Sequence, residues 1–231
     1  MRAILLAAGL GTRLRPLTDT VPKCLVPIRG MPLLQIWLDQ LSISGIGPFL
    51  VNTHYMAEQV EEFILSTPYA SSVVLSHEEK LLGTAGTLLT NADFFGGEDG
   101  LLIHADNYTE ADFRTFLRAH SNRPAECLMT MMTFRTDNPS SCGILELNSR
   151  GVAIGFHEKV VNPPGNNANG AIYILSNELI QMLKTEMKSA CDFSTEVIPK
   201  LINRIFTYQT NELFADIGTP DSYEFVQRSV K

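Results

Sequence analysis

Apolar runs and helix-period segments alternate from the first residues of the chain. Residues 3–7 form an unbroken apolar stretch that leads directly into a glycine-containing turn, a pattern that predicts a buried strand. The 3.6-residue period of residues 33–43 predicts a helix, and residues 48–51 predict a second buried strand. A helix over 57–65, strands over 73–75 and 101–103, and a helix over 110–119 capped by Thr109 extend the alternation. Strands alternating with crossover helices predict an α/β fold whose sheet is mostly parallel. Past residue 125 strands dominate, at 127–134, 144–147, 153–158 and 171–175, before helices return at 177–187, 195–203 and 220–230. Residues 162–169 (NPPGNNAN) predict the one clear irregular loop. No repeat or low-complexity linker interrupts the chain, so a single continuous domain over 1–231 is expected.

Composition narrows the function classes. Eighteen Lys and Arg against 25 Asp and Glu give a net charge of −7 with no basic run, which argues against a nucleic-acid partner. Anionic small molecules remain open, because they need only a few local cations. No apolar stretch approaches the roughly 20 residues that span a bilayer. The N-terminal apolar run is short, glycine-broken and followed by Arg13 and Arg15, unlike a secretory signal. A cytoplasmic protein with no membrane partner is expected. Cys24, Cys127, Cys142 and Cys191 are scattered without metal-ligand spacing, as ordinary packed thiols in a reducing compartment would be. The five histidines form no ligand set, and no serine sits in a GxSxG elbow.

The first strand runs into Ala8-Gly9-Leu10-Gly11-Thr12-Arg13-Leu14-Arg15-Pro16-Leu17-Thr18. Ligands of open α/β sheets bind beyond the carboxyl ends of the strands. A glycine-rich turn there lets backbone N–H groups approach an anion, and Arg13, Arg15 and Lys23 add cations suited to phosphate. The segment is neither a Walker A loop nor a dinucleotide fingerprint, since no GK[ST] follows and Leu14 occupies the third glycine position. Gly9-x-Gly11-Thr12-Arg13-Leu14-x-Pro16-Leu17-Thr18 with Pro22-Lys23 resembles the signature of the sugar-1-phosphate nucleotidyltransferases. The resemblance implies that Arg13 grips a triphosphate, that Lys23 contacts phosphates at the reacting centre, and that the backbone of Leu6, Ala7, Ala8 and Gly9 faces the nucleobase.

Further motifs follow in the same order along the chain. Glu79 with Leu82-Gly83-Thr84-Ala85-Gly86 resembles the family's base-reading segment, although a glycine-flanked helix start is also an ordinary tight turn. Asp106, in His104-Ala105-Asp106-Asn107, ends a buried strand where a carboxylate can hold Mg²⁺. The family usually has glycine where Ala105 stands. Asp216, in Asp216-Ile217-Gly218-Thr219-Pro220, resembles the family's second Mg²⁺ ligand and precedes the Thr219–Pro220 helix start. Glu158-Lys159, otherwise a solvated ion pair, resembles the family's Glu-Lys-Pro step, with Val160 in place of proline. Asn169-Gly170 and Gly143 resemble its sugar-contacting positions. Residues 192–199 read as a helix start capped by Ser194 or Thr195.

The resemblance spans nearly the whole chain. It implies a single Rossmann-like, mixed and mostly parallel sheet with flanking helices, residues 1–125 forming a nucleotide-binding half and 126–231 a sugar-phosphate-binding half. No C-terminal β-helix, and so no acyltransferase activity, is expected. The implied reaction is Mg²⁺-dependent in-line attack of a sugar 1-phosphate on the α-phosphorus of an NTP, giving an NDP-sugar and pyrophosphate. Glu-Lys-Val and LGTAG favour guanylyl transfer to a mannose- or heptose-type phosphate. Uridylyl transfer to an N-acetylmuramic-type or hexose phosphate is the alternative, ahead of a glycosyltransferase or a non-catalytic nucleotide-sugar sensor. Oligomeric state is not legible.

Overall fold

The computed structural model describes residues 1–230. In chain order come β1 (Arg2–Leu6), the short strands β2 (Pro27–Ile28) and β3 (Met31–Pro32), α1 (Leu33–Ile43), β4 (Phe49–Thr53), α2 (Ala57–Ser66) and β5 (Val73–His77). Next are α3 (Gly83–Thr90), β6 (Gly100–His104), β7 (Asn107–Thr109), α4 (Phe113–Ser121), β8 (Met129–Arg135) and β9 (Gly143–Leu147). The remainder is β10 (Ala153–Glu158), β11 (Asn167–Leu175), α5 (Asn177–Glu186), β12 (Ile205–Gln209), β13 (Phe214–Asp216) and α6 (Pro220–Ser229). The architecture is α/β, a mixed, mostly parallel central sheet with flanking helices, as the alternation of strands and helices predicts. Among the described residues no helix is long and apolar enough to cross a membrane.

Two compact units interleave along the chain. The first holds residues 1–81, 103–110 and the segment from Glu212 onward; the second holds 82–102 and 111–211. In the first unit β1, β4 and β5 pair in parallel, Ala3 opposite Phe49 and Phe49 opposite Val73. Every residue of β4 is buried, as expected of a parallel strand covered on both faces. Helix α1 buries Leu33, Leu34, Trp37, Leu38 and Leu41, the apolar stripe that its period predicts. Each such side chain contributes about 1.5–3 kcal/mol when fully buried. The same helix grips the β7 segment: Trp37 Nε1 donates to the Asn107 carbonyl at 3.0 Å and Gln40 Nε2 to that of Thr109 at 2.7 Å. Strand β7 pairs antiparallel with β13, placing Asp216 opposite Asn107. Helix α6 starts from a reciprocal Thr219–Ser222 capping box and is tied to Pro27 by the Tyr223 hydroxyl.

In the second unit β8 pairs antiparallel with β11 and parallel with β12, and β9 pairs antiparallel with β10 and β11. Three local expectations change here. Helix α4 begins at Phe113 with Asp112 as its cap, not at 110 with Thr109, because Thr109 belongs to the β7–β13 ribbon. Strand β11 begins at Asn167, so the predicted loop ends three residues early, with Asn167, Ala168 and Asn169 paired to β8. Residues Phe193–Val197 form a π-helical turn whose cap is the Asp192 side chain, accepting from the Thr195 amide, in place of Ser194 or Thr195. Of the cysteines, Cys24 and Cys127 are buried as expected, whereas Cys191 is exposed.

Candidate active site

The carboxyl end of β1 delivers the chain into a turn whose backbone is unusually open. Leu6 O accepts the Ala105 amide at 3.0 Å, and the Ala7 amide donates to Asn52 Oδ1 at 2.7 Å. Beyond that point, among the described residues, the amides of residues 8–12 donate to no protein acceptor. Successive unpaired N–H groups at a strand end form an anion-binding concavity. Gly11 makes the turn, at φ +65°, and a Cβ there would lie 2.9 Å from Thr18 Cγ2. Thr18 Oγ1 locks the turn by donating to the Gly11 carbonyl at 2.7 Å. Gly9 has open space where a Cβ would stand, so nothing in the fold demands glycine there. Arg13 lies exposed on the following turn, and Arg15 pairs with Asp19 at 3.1 Å.

Lys23 is buried, 6% exposed. Its Nζ donates to Asp106 Oδ2 at 2.7 Å and lies 3.6 Å from Asp216 Oδ1. Asp106 follows β6 in a turn anchored by the Ala105 amide on Leu6 O, and its own carbonyl accepts the Ile217 amide at 3.1 Å. The β7–β13 ribbon thus brings two carboxylates from distant parts of the chain onto one ammonium. Ala105 is fully buried without a left-handed backbone, so its methyl group is accommodated where the family has glycine. Desolvation pushes the Asp106 carboxyl up, but Lys23, then His104, outweigh it and hold its pKa below the usual range. Asp216 is shifted the other way: desolvation, then the charge of Asp106, raise its pKa against the pull of Lys23 and Arg13. Gly218 has a steric role that sequence reasoning missed. A Cβ there would lie 2.9 Å from Asp216 Oδ2 and 3.2 Å from Arg13 Nη2.

Two carboxylates that remain 39% and 54% exposed offer the oxygen donors a hard divalent ion takes, and such an ion would share them with the Lys23 ammonium. Among the described residues no group of three or more His, Cys, Asp or Glu could hold a metal. The remaining ligands would then be phosphate and water oxygens, the usual manner of binding Mg²⁺.

Glu79 is exposed, whereas Glu78 is 4% exposed and accepts from Asn52 Nδ2 at 2.8 Å. Because the Ala7 amide can only donate, Asn52 Oδ1 must face it and Nδ2 must face Glu78. His54 Nδ1 adds a 2.7 Å contact to the Glu78 carbonyl. Asn52 and Glu78 therefore brace the end of β1. The signal available beforehand was the pair Glu78-Glu79 closing an alternating strand, which does not say which of the two points inward.

In the second unit, the LGTAG turn opens α3. Gly83 is at φ +78°, and its bare Cα faces the Cys191 carbonyl, where a Cβ would collide. The Ala85 and Gly86 amides donate to that carbonyl at 2.9 and 3.4 Å, so the helix start does not offer these two donors to a ligand. Thr84 Oγ1 accepts the Phe193 amide at 2.7 Å. Leu82 is exposed at 37%.

The predicted sugar-side residues also lie in the second unit. The β9–β10 register sets Glu158 opposite Gly143, and a Cβ at 143 would lie 2.5 Å from Glu158 Oε2. Glycine there is what lets Glu158 occupy its place. Lys159 carries its Nζ 3.4 Å from Glu158 Oε1, with 66% of its side chain exposed. Its φ is +49°, a strained value for a residue with a Cβ and of the kind that gathers at functional sites. Asn169 donates to the Tyr173 hydroxyl and accepts the Ala171 amide, both at 2.8 Å. Gly170 follows within the irregular stretch of β11.

The chain is similar to known proteins along nearly its whole length. A Sulfolobus acidocaldarius protein provisionally named mannose-1-phosphate guanyltransferase is 31% identical over 225 residues, covering 96% of this chain and 60% of that protein. The UTP–glucose-1-phosphate uridylyltransferase of Synechocystis is 28% identical over 245 residues, covering 98% of this chain and 63% of that one. The chain therefore spans about three-fifths of the length of such relatives, 60% and 63%. The crystal structure of HddC from Yersinia pseudotuberculosis complexed with GMP-PN shares the fold, with a TM-score of 0.81 at 22% identity over 100% of this chain and 99% of that one. The nucleotidyl transferase family pattern matches residues 2–231, and the chain belongs to that family.

Proposed function

We propose that the chain catalyses nucleotidyl transfer from an NTP to a sugar 1-phosphate. The observation that carries the reading is the Lys23–Asp106–Asp216 cluster in the same unit as the open amides of residues 8–12. A phosphate oxygen of the sugar 1-phosphate attacks the α-phosphorus, the bond from that phosphorus to the bridging oxygen breaks, and pyrophosphate leaves. The attacking oxygen is already ionised at neutral pH, so no general base is needed. The requirement is for cations and N–H donors that hold two anions together, as in other phosphoryl transfers.

In this reading the backbone of Leu6, Ala7, Ala8 and Gly9 and the Glu79–LGTAG segment face the nucleobase, and the amides of residues 10–12 and Arg13 bind the triphosphate and the departing pyrophosphate. Lys23 orients the phosphate under attack. Asp106 and Asp216 would hold Mg²⁺, which when bound neutralises phosphate charge. Glu158, Lys159, Asn169 and Gly170 bind the sugar phosphate, and Gly143 leaves space for Glu158. Guanylyl transfer to mannose 1-phosphate is the favoured pair, supported by the Sulfolobus relative. Uridylyl transfer to a hexose phosphate is second, supported by the Synechocystis relative. The test is pyrophosphate release across four NTPs and a panel of sugar 1-phosphates with Mg²⁺, with Asp106→Asn as blank. Release for GTP with mannose 1-phosphate, absent from the blank, supports the reading. Equal release in the blank overturns the roles given to this cluster.

A further inference from the structure

Three segments of the second unit are joined through one buried pair of rings. Phe193 opens the π-helical turn Phe193–Val197, a rare conformation that concentrates at functional sites. Its amide donates to Thr84 Oγ1 at 2.7 Å, and the Cys191 carbonyl accepts the Ala85 amide at 2.9 Å. The first turn of α3 therefore rests on residues 191–193. The Phe193 ring packs against Tyr173, with centroids 4.8 Å apart and planes 37° apart, and both residues are 0% exposed. The Tyr173 oxygen accepts from Asn169 Nδ2 at 2.8 Å, with the Ser194 side chain as a further hydrogen-bonding neighbour. At its other end Asn169 Oδ1 accepts the Ala171 amide at 2.8 Å. That amide can only donate, so the orientation of the Asn169 side chain is fixed at both ends.

We propose that Tyr173 is a positioning residue for sugar-phosphate recognition, fixing the Asn169 side chain and being itself fixed, through Phe193, by the LGTAG turn. The proposal rests on the reading of Asn169 as a sugar-facing residue. Tyr173 is enclosed and touches no substrate; its hydroxyl sets the amide that does. With the hydroxyl removed, Asn169 Nδ2 loses its acceptor, and the bend through Ala171 at φ +52° is less firmly held. The side chain then has to be ordered when the sugar arrives, at a cost in affinity. The nucleotide-binding turn at residues 8–12 belongs to the other unit and is left unchanged.

Tyr173→Phe keeps the ring and deletes one oxygen. The experiment measures KM for each substrate, kcat and Tm for Tyr173→Phe, Asn169→Ala and the double variant, using the most active NTP–sugar pair. Tyr173→Phe is expected to raise the sugar 1-phosphate KM about fivefold, the worth of one neutral hydrogen bond, with NTP KM and kcat within twofold. The double variant should be no worse than Asn169→Ala, because Tyr173 acts through Asn169. Phe193→Leu, which keeps an apolar side chain but loses the ring contact, should raise the sugar KM as well. A Tyr173→Phe protein that loses only Tm and kcat, or raises both KM values equally, overturns the proposal and leaves Tyr173 a packing residue. Effects that multiply in the double variant also overturn it. An unchanged sugar KM in Asn169→Ala removes the sugar-facing reading on which the proposal stands, and is read separately from the Tyr173 result.

Discussion

A methyl group added at Gly9 meets no protein atom, whereas one added at Gly11 presses on Thr18 in a left-handed backbone. The fold therefore demands glycine at 11 but not at 9, where the proposed function needs room for a ligand to approach. Gly9→Ala is expected to keep its Tm within a degree or two and to raise the NTP KM at least tenfold. Gly11→Ala should lower stability by about 1–3 kcal/mol, from left-handed strain and the clash together. An unstable Gly9→Ala protein with normal KM would reverse these assignments. Ala171 poses the opposite case, an alanine held at φ +52°. Ala171→Gly relieves about 1–2 kcal/mol of left-handed strain while adding about 0.5–1 kcal/mol of unfolded-chain entropy. Net stabilisation of about 0.5–1 kcal/mol should appear as a higher urea midpoint at unchanged slope, and a lower midpoint would count against strain at this position.

At the scale of elements, His120 connects α4 to β8 and to the turn before β6. It is 3% exposed, with Nε2 3.1 Å from Asp99 Oδ2 and Nδ1 2.8 Å from Thr130 Oγ1. Asp99 is in turn fixed by the Asn177 amide at the start of α5. Burial, then Arg123, push the His120 pKa down to about 4 against the pull of Asp99. The folded protein keeps this ring neutral, while the unfolded chain takes up a proton near pH 6.5. Its contribution is therefore complete above about pH 6.5 and falls away as pH drops towards 4, by about 3 kcal/mol in all. Denaturant titrations at pH 7 and pH 4.5 should show a smaller pH loss in His120→Gln than in the parent, and equal losses would remove the histidine as the cause. This network was not legible beforehand, because a histidine on a helical stripe carries no mark of its partners. The parallel strands of the first unit were legible because each is a short apolar run closed by a turn. Asn167 to Asn169 were not, because their composition is that of a loop and only pairing with β8 makes them a strand. The π-turn was missed for a related reason, since the apolar period of residues 195–203 suits an ordinary helix and the Asp192 cap shows only in three dimensions.

At the scale of the molecule, the glycine turn after β1 could be read from contiguous residues, but the charge cluster could not, since Lys23, Asp106 and Asp216 meet only through the fold. Family resemblance named them; the β7–β13 ribbon and the Ala105–Leu6 hydrogen bond account for their meeting. Their charges constrain one another in a way that can be measured without substrate. Lys23 is the cation in contact with both carboxylates, and Asp216 already has its pKa raised by desolvation and by Asp106. Lys23→Met removes that cation and leaves two carboxylates facing each other at pH 7. With both partly exposed and screened by water, the loss should be about 1–2 kcal/mol, well short of the 3–5 kcal/mol of a fully buried broken pair. Adding Asp106→Asn to Lys23→Met deletes the repulsion and should recover most of that loss, while catalysis stays absent in both variants. The double-mutant cycle in denaturant at pH 7 reads the coupling directly. A clear departure from additivity makes Lys23 the structural counter-ion of the carboxylates before any phosphate binds. Strict additivity would mean that these three groups are held in place by the ribbon alone, leaving Lys23 with a role only towards substrate.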